Sequence, residues 1–419
     1  MGRTVYGLRW WIIGVVMLGT SLNYLTRSTL GVAAPTVLAD LNIGAREYGW
    51  ITAAFQLGIM LQPIAGYVLD LIGLRVGLAA FAAAWAAITM AHGLATGWPS
   101  LLALRAALGV AEGTAHPGGL KVVAEWFPAR ERGFAGGIYN IGASVGSMIA
   151  PPLVAGAILF WNWRAAFFIV GLMAAVWVVV WLFVYRSPAE HPKISSEERE
   201  QILTGREAHL TARERRPLSR LLRERNVWGL ALPRFLADPT WGTLTFWLPL
   251  YLTTTRGFDL KQIAMFAWLP FVAADFGCMA GPTVAAWLHR RGVGLINARR
   301  CAFTIGASMM ICMIFVPQVE SPYAAIALLC LGGFAHQMLS VTCITLATDL
   351  FPQNEVGTVA GLAGTFANLG VLLFSLAIGG LVATVGYDPF FIALSLLDLV
   401  AAAVLWTVIR PPSLSEKLS

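Results

Sequence analysis

Glu125-Trp-Phe-Pro-Ala-Arg-Glu131-Arg-Gly133-Phe-Ala-Gly-Gly137 and Asp349-Leu-Phe-Pro-Gln-Asn-Glu355-Val-Gly357-Thr-Val-Ala-Gly361 are one phrase written twice. An acid, Phe-Pro, Glu, Gly and Gly recur at a constant offset of 224 residues. Each copy follows the fourth of six apolar runs. A membrane-spanning helix needs about 20 mostly apolar residues. Runs of that kind cover roughly 10–34, 48–69, 76–96, 99–122, 134–157, 164–185, 227–252, 264–287, 299–318, 322–346, 357–383 and 389–410. Between the sixth and the seventh, Arg186 to Arg225 is polar, charged and expected to be partly helical. The pattern predicts an all-α membrane protein with twelve transmembrane helices in two six-helix pseudo-repeat bundles. The bundles fall at 1–185 and 227–419, joined by a linker at 186–226.

Composition points the same way. Apolar residues make up 58% of the chain and charged residues 12%, with a mean hydropathy of +0.70. A soluble domain carries about a quarter charged residues, so most of this chain does not face water. A net charge of +7 would point to nucleic acid in a soluble protein. Here the basic residues flank apolar runs, and they report topology instead. Of 29 lysines and arginines, 21 fall on one set of connecting segments and the two ends. Four fall on the other set: Arg46, Arg164, Arg256 and Lys261. Both termini and the linker are therefore expected in the cytoplasm. The five cysteines show no C-x-x-C spacing and read as packing residues. The first apolar run is too long for a cleavable signal and lacks a small-residue cleavage site. No phosphate-binding Gly-x-x-x-x-Gly-Lys loop, metal-ligand cluster or nucleophile motif is present. The expectation is a membrane carrier without enzymatic activity, cofactor, metal or nucleic-acid partner, functional as a monomer.

The loop after the second run reads Gly66-Tyr-Val-Leu-Asp70-Leu-Ile-Gly73-Leu-Arg75. It resembles the Gly-x-x-x-Asp-x-x-Gly-x-Arg gating signature of the major facilitator superfamily. Its counterpart, Gly281 to Gly292, is degenerate. More narrowly, the chain resembles the anion:cation symporter family, and within it the bacterial hexuronate transporters. The likeness rests on Asn23-Tyr-Leu-Thr-Arg27, Ala54-Phe-Gln-Leu, Gln62-Pro-Ile-Ala-Gly-Tyr, Glu112 through Pro128, Arg234-Phe-Leu-Ala-Asp238-Pro, Phe246-Trp-Leu-Pro and Ala335-His336-Gln337. It implies a proton-coupled symporter that imports a sugar acid such as glucuronate or galacturonate across the bacterial inner membrane. The substrate site of such proteins lies near the membrane midplane.

An ionisable residue inside the membrane is costly and is a functional candidate by default. Arg27 follows Asn23 and Tyr24 by four and three residues, on one helical face. Its guanidinium can fork onto a carboxylate; the alternative is an arginine snorkelling to the outer headgroups. The resemblance implies substrate contact. Arg105 and Glu112 share a face of the fourth run, about 10 Å apart along the axis. They could form a permanent packing salt bridge. Alternatively, two cations with one acid leave room for an anion, and occupancy of Arg105 could switch the proton of a nearby Glu112. The resemblance implies proton coupling at Glu112. Many family members carry an acid immediately before the first-run arginine; here that position is Thr26, which leaves the number of protons open.

Weaker candidates follow. Asp238 is either a coupling acid or the i+4 neutraliser of Arg234. Gln56 and Gln62 are substrate donors or interhelical glue. By family analogy His336 and Gln337 are ligands, although a lone buried histidine is more often a packing residue; His116 is read the same way. Asp275 and Asp398 fit gating, packing or interfacial roles. Lys121, Arg130 and Glu131 fit a gate or topology. Gly142-x-x-x-Gly146 signals close helix packing. The expected mechanism is binding of the substrate carboxylate by Arg27 and Arg105, with protonation of Glu112 releasing Arg105. The alternatives are an antiporter or facilitator of another organic or aromatic carboxylate, and a transporter-shaped sensor.

Overall fold

The computed structural model describes residues 6–128, 131–207, 218–351 and 353–410, and every regular element among them is helical. By their internal contacts these residues form two compact units, Met1–Asn42 with Leu57–Arg213, and Ile43–Gln56 with Glu214–Ser419.

The helices up to the linker are α1 Leu8–Asp40, α2 Ala45–Ile59, α3 Gln62–Ile72, α4 Leu74–His92, α5 Trp98–Glu112, α6 Ala115–Trp126, α7 Arg132–Phe160, α8 Trp163–Val184 and α9 Ser196–Glu207. The remainder are α10 Leu218–Leu221, α11 Arg225–Ala237, α12 Pro239–Gly242, a π-turn Thr243–Trp247, α13 Leu248–Thr254, α14 Leu260–Phe266, α15 Leu269–Arg290, α16 Leu295–Met309, a 3-10 turn Met310–Phe315, α17 Pro322–Leu350, α18 Gln353–Val385 and α19 Asp388–Val408. Eight of these helical stretches are each long and apolar enough to cross a membrane. The other four apolar runs correspond to α1, α2 with α3, α5 with α6, and α11 through α13. Three of them are interrupted. The first, α1, is long enough but carries Asn23, Tyr24, Thr26 and Arg27 at its centre.

The interruptions have local causes. Pro63 lacks the N–H that would close on Ile59, and the helix breaks at Met60–Leu61. Pro117 likewise leaves the carbonyl of Gly113 without its helical partner, so the expected single span 99–122 breaks directly after Glu112. Pro239 begins α12 directly after Asp238, and the π-turn precedes Pro249. Each unit thus presents one buried acid at a helix break. Gly73, with φ of +78°, ends α3 and starts α4, a backbone conformation that glycine adopts without strain.

In the first unit α1 packs along α7 and α8, and α4 lies against α5 and α8. The α1–α7 contact is backbone to backbone. A Cβ added to Gly142 would stand 2.4 Å from the Met17 carbonyl, and one added to Gly146 would stand 2.1 Å from that of Ser21. These two glycines set where the Asn23–Arg27 turn lies. At the other end of α1, the carboxylate of Glu198, in the first turn of α9, accepts the Leu8 and Arg9 backbone N–H groups at 3.1 and 3.2 Å. These are orphan donors at a helix start, where the dipole favours an anion. Arg9 also pairs with Glu131 at 3.0 Å and Glu198 at 3.3 Å.

In the second unit α15 packs on α17, and α11 on α18 and α19. Tyr48 belongs here: its hydroxyl donates to the Phe246 carbonyl at 2.5 Å, and its ring stands edge-on to Trp247. Gly49 meets Gly379 so closely that a Cβ on Gly379 would be 2.8 Å from the Ala45 carbonyl.

Candidate functional site

The sequence candidates of the first unit converge at the centre of α1 and the end of α5. Glu112 is the last residue of α5, and its side chain is wholly buried. One oxygen, Oε1, accepts the Thr26 hydroxyl at 2.6 Å, in the range of charge-assisted O–H···O bonds. The other, Oε2, meets Arg27 Nε at 3.4 Å. The Arg27 guanidinium lies over the Tyr24 ring at 4.5 Å, and its NH2 group donates to Asn23 Oδ1 at 3.4 Å. The bonds from Arg27 to Glu112 and to Asn23 are long against the usual 2.7–3.2 Å, and its side chain retains 18% exposure. Arg105 is 1% exposed and donates to the backbone carbonyl of Arg27 at 3.2 Å. Asn23 is buried, and among the described residues its Nδ2 has no hydrogen-bond partner.

An ion pair of Glu112 runs to Arg27, and Arg105 also holds the backbone carbonyl of Arg27. Seven residues place Arg105 and Glu112 on one face, and the adjacent residues Thr26 and Arg27 of α1 both reach the same carboxylate. Thr26, noted in the sequence only as a departure from the family pattern, is a direct partner of Glu112. Nearby, His116 Nδ1 and the Tyr139 hydroxyl are 3.1 Å apart.

The second unit gathers a separate group. Arg234 Nε and NH2 both donate to Asp238 Oδ2, at 2.9 and 2.5 Å. Among the described residues Asp238 Oδ1 has no hydrogen-bond partner. His336 is 1% exposed, and among the described residues its Nδ1 has no hydrogen-bond partner. Its ring stacks on Trp241 at 6.2 Å, and Trp241 stands edge-on to Phe271. Gln337 points elsewhere, donating to Cys278 Sγ at 3.3 Å. Asp398 is fully buried, and among the described residues neither carboxyl oxygen has a hydrogen-bond partner. Asp275 is half-buried. Sequence reasoning missed Trp241, although it lies one helical step beyond Asp238 and so on the same face. Gln56 is buried at the last position of the α2 segment that belongs to this unit.

The gating motif forms the α3–α4 turn. Gly66 offers its carbonyl to Lys121 Nζ at 2.6 Å. Arg75 donates to the Leu182 carbonyl at 2.8 Å and accepts from Trp181 Nε1 on its own carbonyl at 3.1 Å. The Asp70 side chain and Arg130 lie outside the described residues. Among the described residues no group of three His, Cys, Asp or Glu could hold a metal ion. The pairing of a partly exposed guanidinium with a buried carboxylate is suited to binding an anion.

Comparisons with known proteins agree with this architecture. Residues 16–370 and 293–419 match the Major Facilitator Superfamily. The chain is 45% identical over 415 residues to the hexuronate transporter of Escherichia coli (strain K12), covering 97% of this chain and 95% of that one. It is 45% identical over 327 residues to the galacturonate transporter of Dickeya chrysanthemi, covering 77% and 95%. A crystal structure of a bacterial homologue of the human lysosomal transporter Spinster shares the fold at a TM-score of 0.76 and 16% identity, covering 97% of this chain and 98% of that one. The chain is a member of the Major Facilitator Superfamily, a multi-pass membrane transporter and not an enzyme.

Proposed function

We propose that the chain is a proton-coupled symporter that imports a hexuronate, such as glucuronate or galacturonate, into the bacterial cytoplasm. The named relatives from Escherichia coli and Dickeya chrysanthemi support the substrate class. One observation supports the mechanism: the bond from Arg27 to the fully buried Glu112 is long, at 3.4 Å. A uronate carboxylate offers that guanidinium a better, bidentate partner, but only once the competing charge on Glu112 is removed. Protonation of Glu112 removes it, so proton and anion load together. Arg105 holds the Arg27 backbone in place, and Asn23 Nδ2 and Tyr24 read sugar hydroxyls. Asp238, already neutralised by Arg234, serves packing in this scheme.

Loading a proton with a monoanion also answers the membrane potential. Bringing one negative charge into a negative-inside cell costs about 2.3 kcal/mol per 100 mV, and a co-transported proton cancels that cost. The site then opens to one side of the inner membrane at a time, in a chain whose termini both lie in the cytoplasm and which works as a monomer. The test is Glu112→Gln in proteoliposomes. The variant is expected to exchange labelled galacturonate across the membrane while failing to accumulate it along an imposed pH gradient. Accumulation at the wild-type level would refute proton coupling through Glu112.

A further inference from the structure

The Thr26 hydroxyl has one proton and two acceptors within reach. Glu112 Oε1 lies at 2.6 Å and the Asn23 backbone carbonyl at 2.8 Å, and Thr26 is 1% exposed. A hydroxyl is one donor with two acceptor lone pairs. Facing an ionised Glu112, its O–H turns to Oε1 and stabilises the carboxylate. Facing the protonated acid, it accepts the carboxyl O–H on a lone pair and turns its own proton to Asn23. Neither state leaves a buried polar atom of Thr26 without a partner. We propose that Thr26 is the positioning residue that sets when Glu112 takes up and releases its proton, by turning between these two acceptors. This rests on the coupling role of Glu112 given above. Only one proton is exchanged: Glu112 gains or loses it, and Thr26 keeps its own throughout.

The other charged and titratable groups facing Glu112 are few. Arg27 comes from α1 and Arg105 from α5 itself. His92 of α4, bound through Nδ1 to the Ile88 carbonyl, lies within electrostatic reach of Arg105. His116 of α6 is engaged with Tyr139 of α7. A guanidinium has donors and no acceptor, so the rotating hydroxyl is the partner that can answer a change in Glu112 by switching from donor to acceptor. A permanent acid at this position would instead repel an ionised Glu112 and titrate together with it.

The test compares Thr26→Val, nearly equal in shape, with Thr26→Ser, which restores the hydroxyl. Infrared difference spectra of the purified protein, recorded against pH without substrate, follow the protonated-carboxyl band that Glu112→Gln abolishes. Thr26→Val removes the donor to the carboxylate, and its midpoint is expected about one pH unit higher, a tenfold change. Thr26→Ser is expected to titrate with the wild type. If Thr26→Val does not fold, Thr26→Ala provides the same comparison. Superimposed titrations of the wild type and the valine or alanine variant would overturn the proposal, as would a serine variant shifted equally far. Accumulation of galacturonate by Glu112→Gln would instead overturn the coupling reading and leave the infrared result standing on its own.

Discussion

Gly146→Ala asks how closely the anion site depends on the α1–α7 contact. The added Cβ would lie 2.1 Å from the Ser21 carbonyl and 2.9 Å from the Tyr24 Cβ. To bring the first contact out to 3.0 Å, the helices must separate by about 0.9 Å. Overpacking of this kind costs about 1–3 kcal/mol, so the thermal midpoint in detergent should fall. The displacement carries Tyr24 and Asn23 with it, and misplacing a binding group by about 1 Å can cost ~100-fold. Gly142→Ala is the control. It presses on Met17 one turn away, at 2.4 Å, and should lower the midpoint while leaving most of the affinity. Binding of galacturonate to both variants by calorimetry, beside their melting curves, separates the two effects. Equal affinity loss in the two variants, or wild-type affinity in Gly146→Ala, would refute the claim that this glycine aims the site.

Other predictions follow from single contacts. Arg27→Ala should abolish galacturonate binding, and Arg27→Lys should weaken it ~10-fold or more, because an ammonium keeps the charge but loses the fork; near-normal affinity in the alanine variant would return Arg27 to a snorkelling role. In the linker, His191 Nε2–H donates to the Val184 carbonyl and Nδ1 accepts the Lys193 N–H, both at 3.2 Å, which defines a neutral ring. Burial, and then the cations Arg186, Lys193 and Arg199, lower its pKa below the usual 6.5 against the opposing Val184 bond. The unfolded chain therefore binds this proton more readily than the folded one. The His191 contribution is full above about pH 6.5 and is lost as pH falls through the folded value. Protection of the α9 amides, measured relative to their intrinsic exchange rates at each pH, should fall between pH 7.5 and 5 in the wild type and much less in His191→Gln; parallel profiles would refute the assignment.

The fold was legible because its signal is repeated. Twelve apolar runs and a phrase recurring at 224 residues reflect the demand that each span satisfy its own backbone. Helix ends were less legible: α1 and α18 each extend to 33 residues, since helices continue past the apolar core where hydropathy has already changed. The breaks at Gly113 and Asp238 were visible in Pro117 and Pro239 only in retrospect, because a proline within a long membrane helix is often tolerated. At the site, residue types and helical faces identified Arg27, Arg105 and Glu112. Their pairing was not identifiable, because it depends on the register of α1 against α5, which glycine contacts elsewhere on α1 decide. The engagement of Gln337 with Cys278 and the stacking of His336 on Trp241 are likewise products of packing between helices distant in sequence.

The carboxylate of Glu198 has a consequence for anyone who divides the chain. Hydropathy invites a cut directly after α8, where the last apolar run of the first half ends. Such a fragment would begin its first helix with the Leu8 and Arg9 amides bare and Arg9 deprived of one of its two counter-ions. A fragment retaining α9 carries its own anionic lid for that helix start. Split-gene expression, reporter insertions and tags are therefore better placed beyond Glu207, in the stretch before α10, than at the seam the apolar pattern advertises.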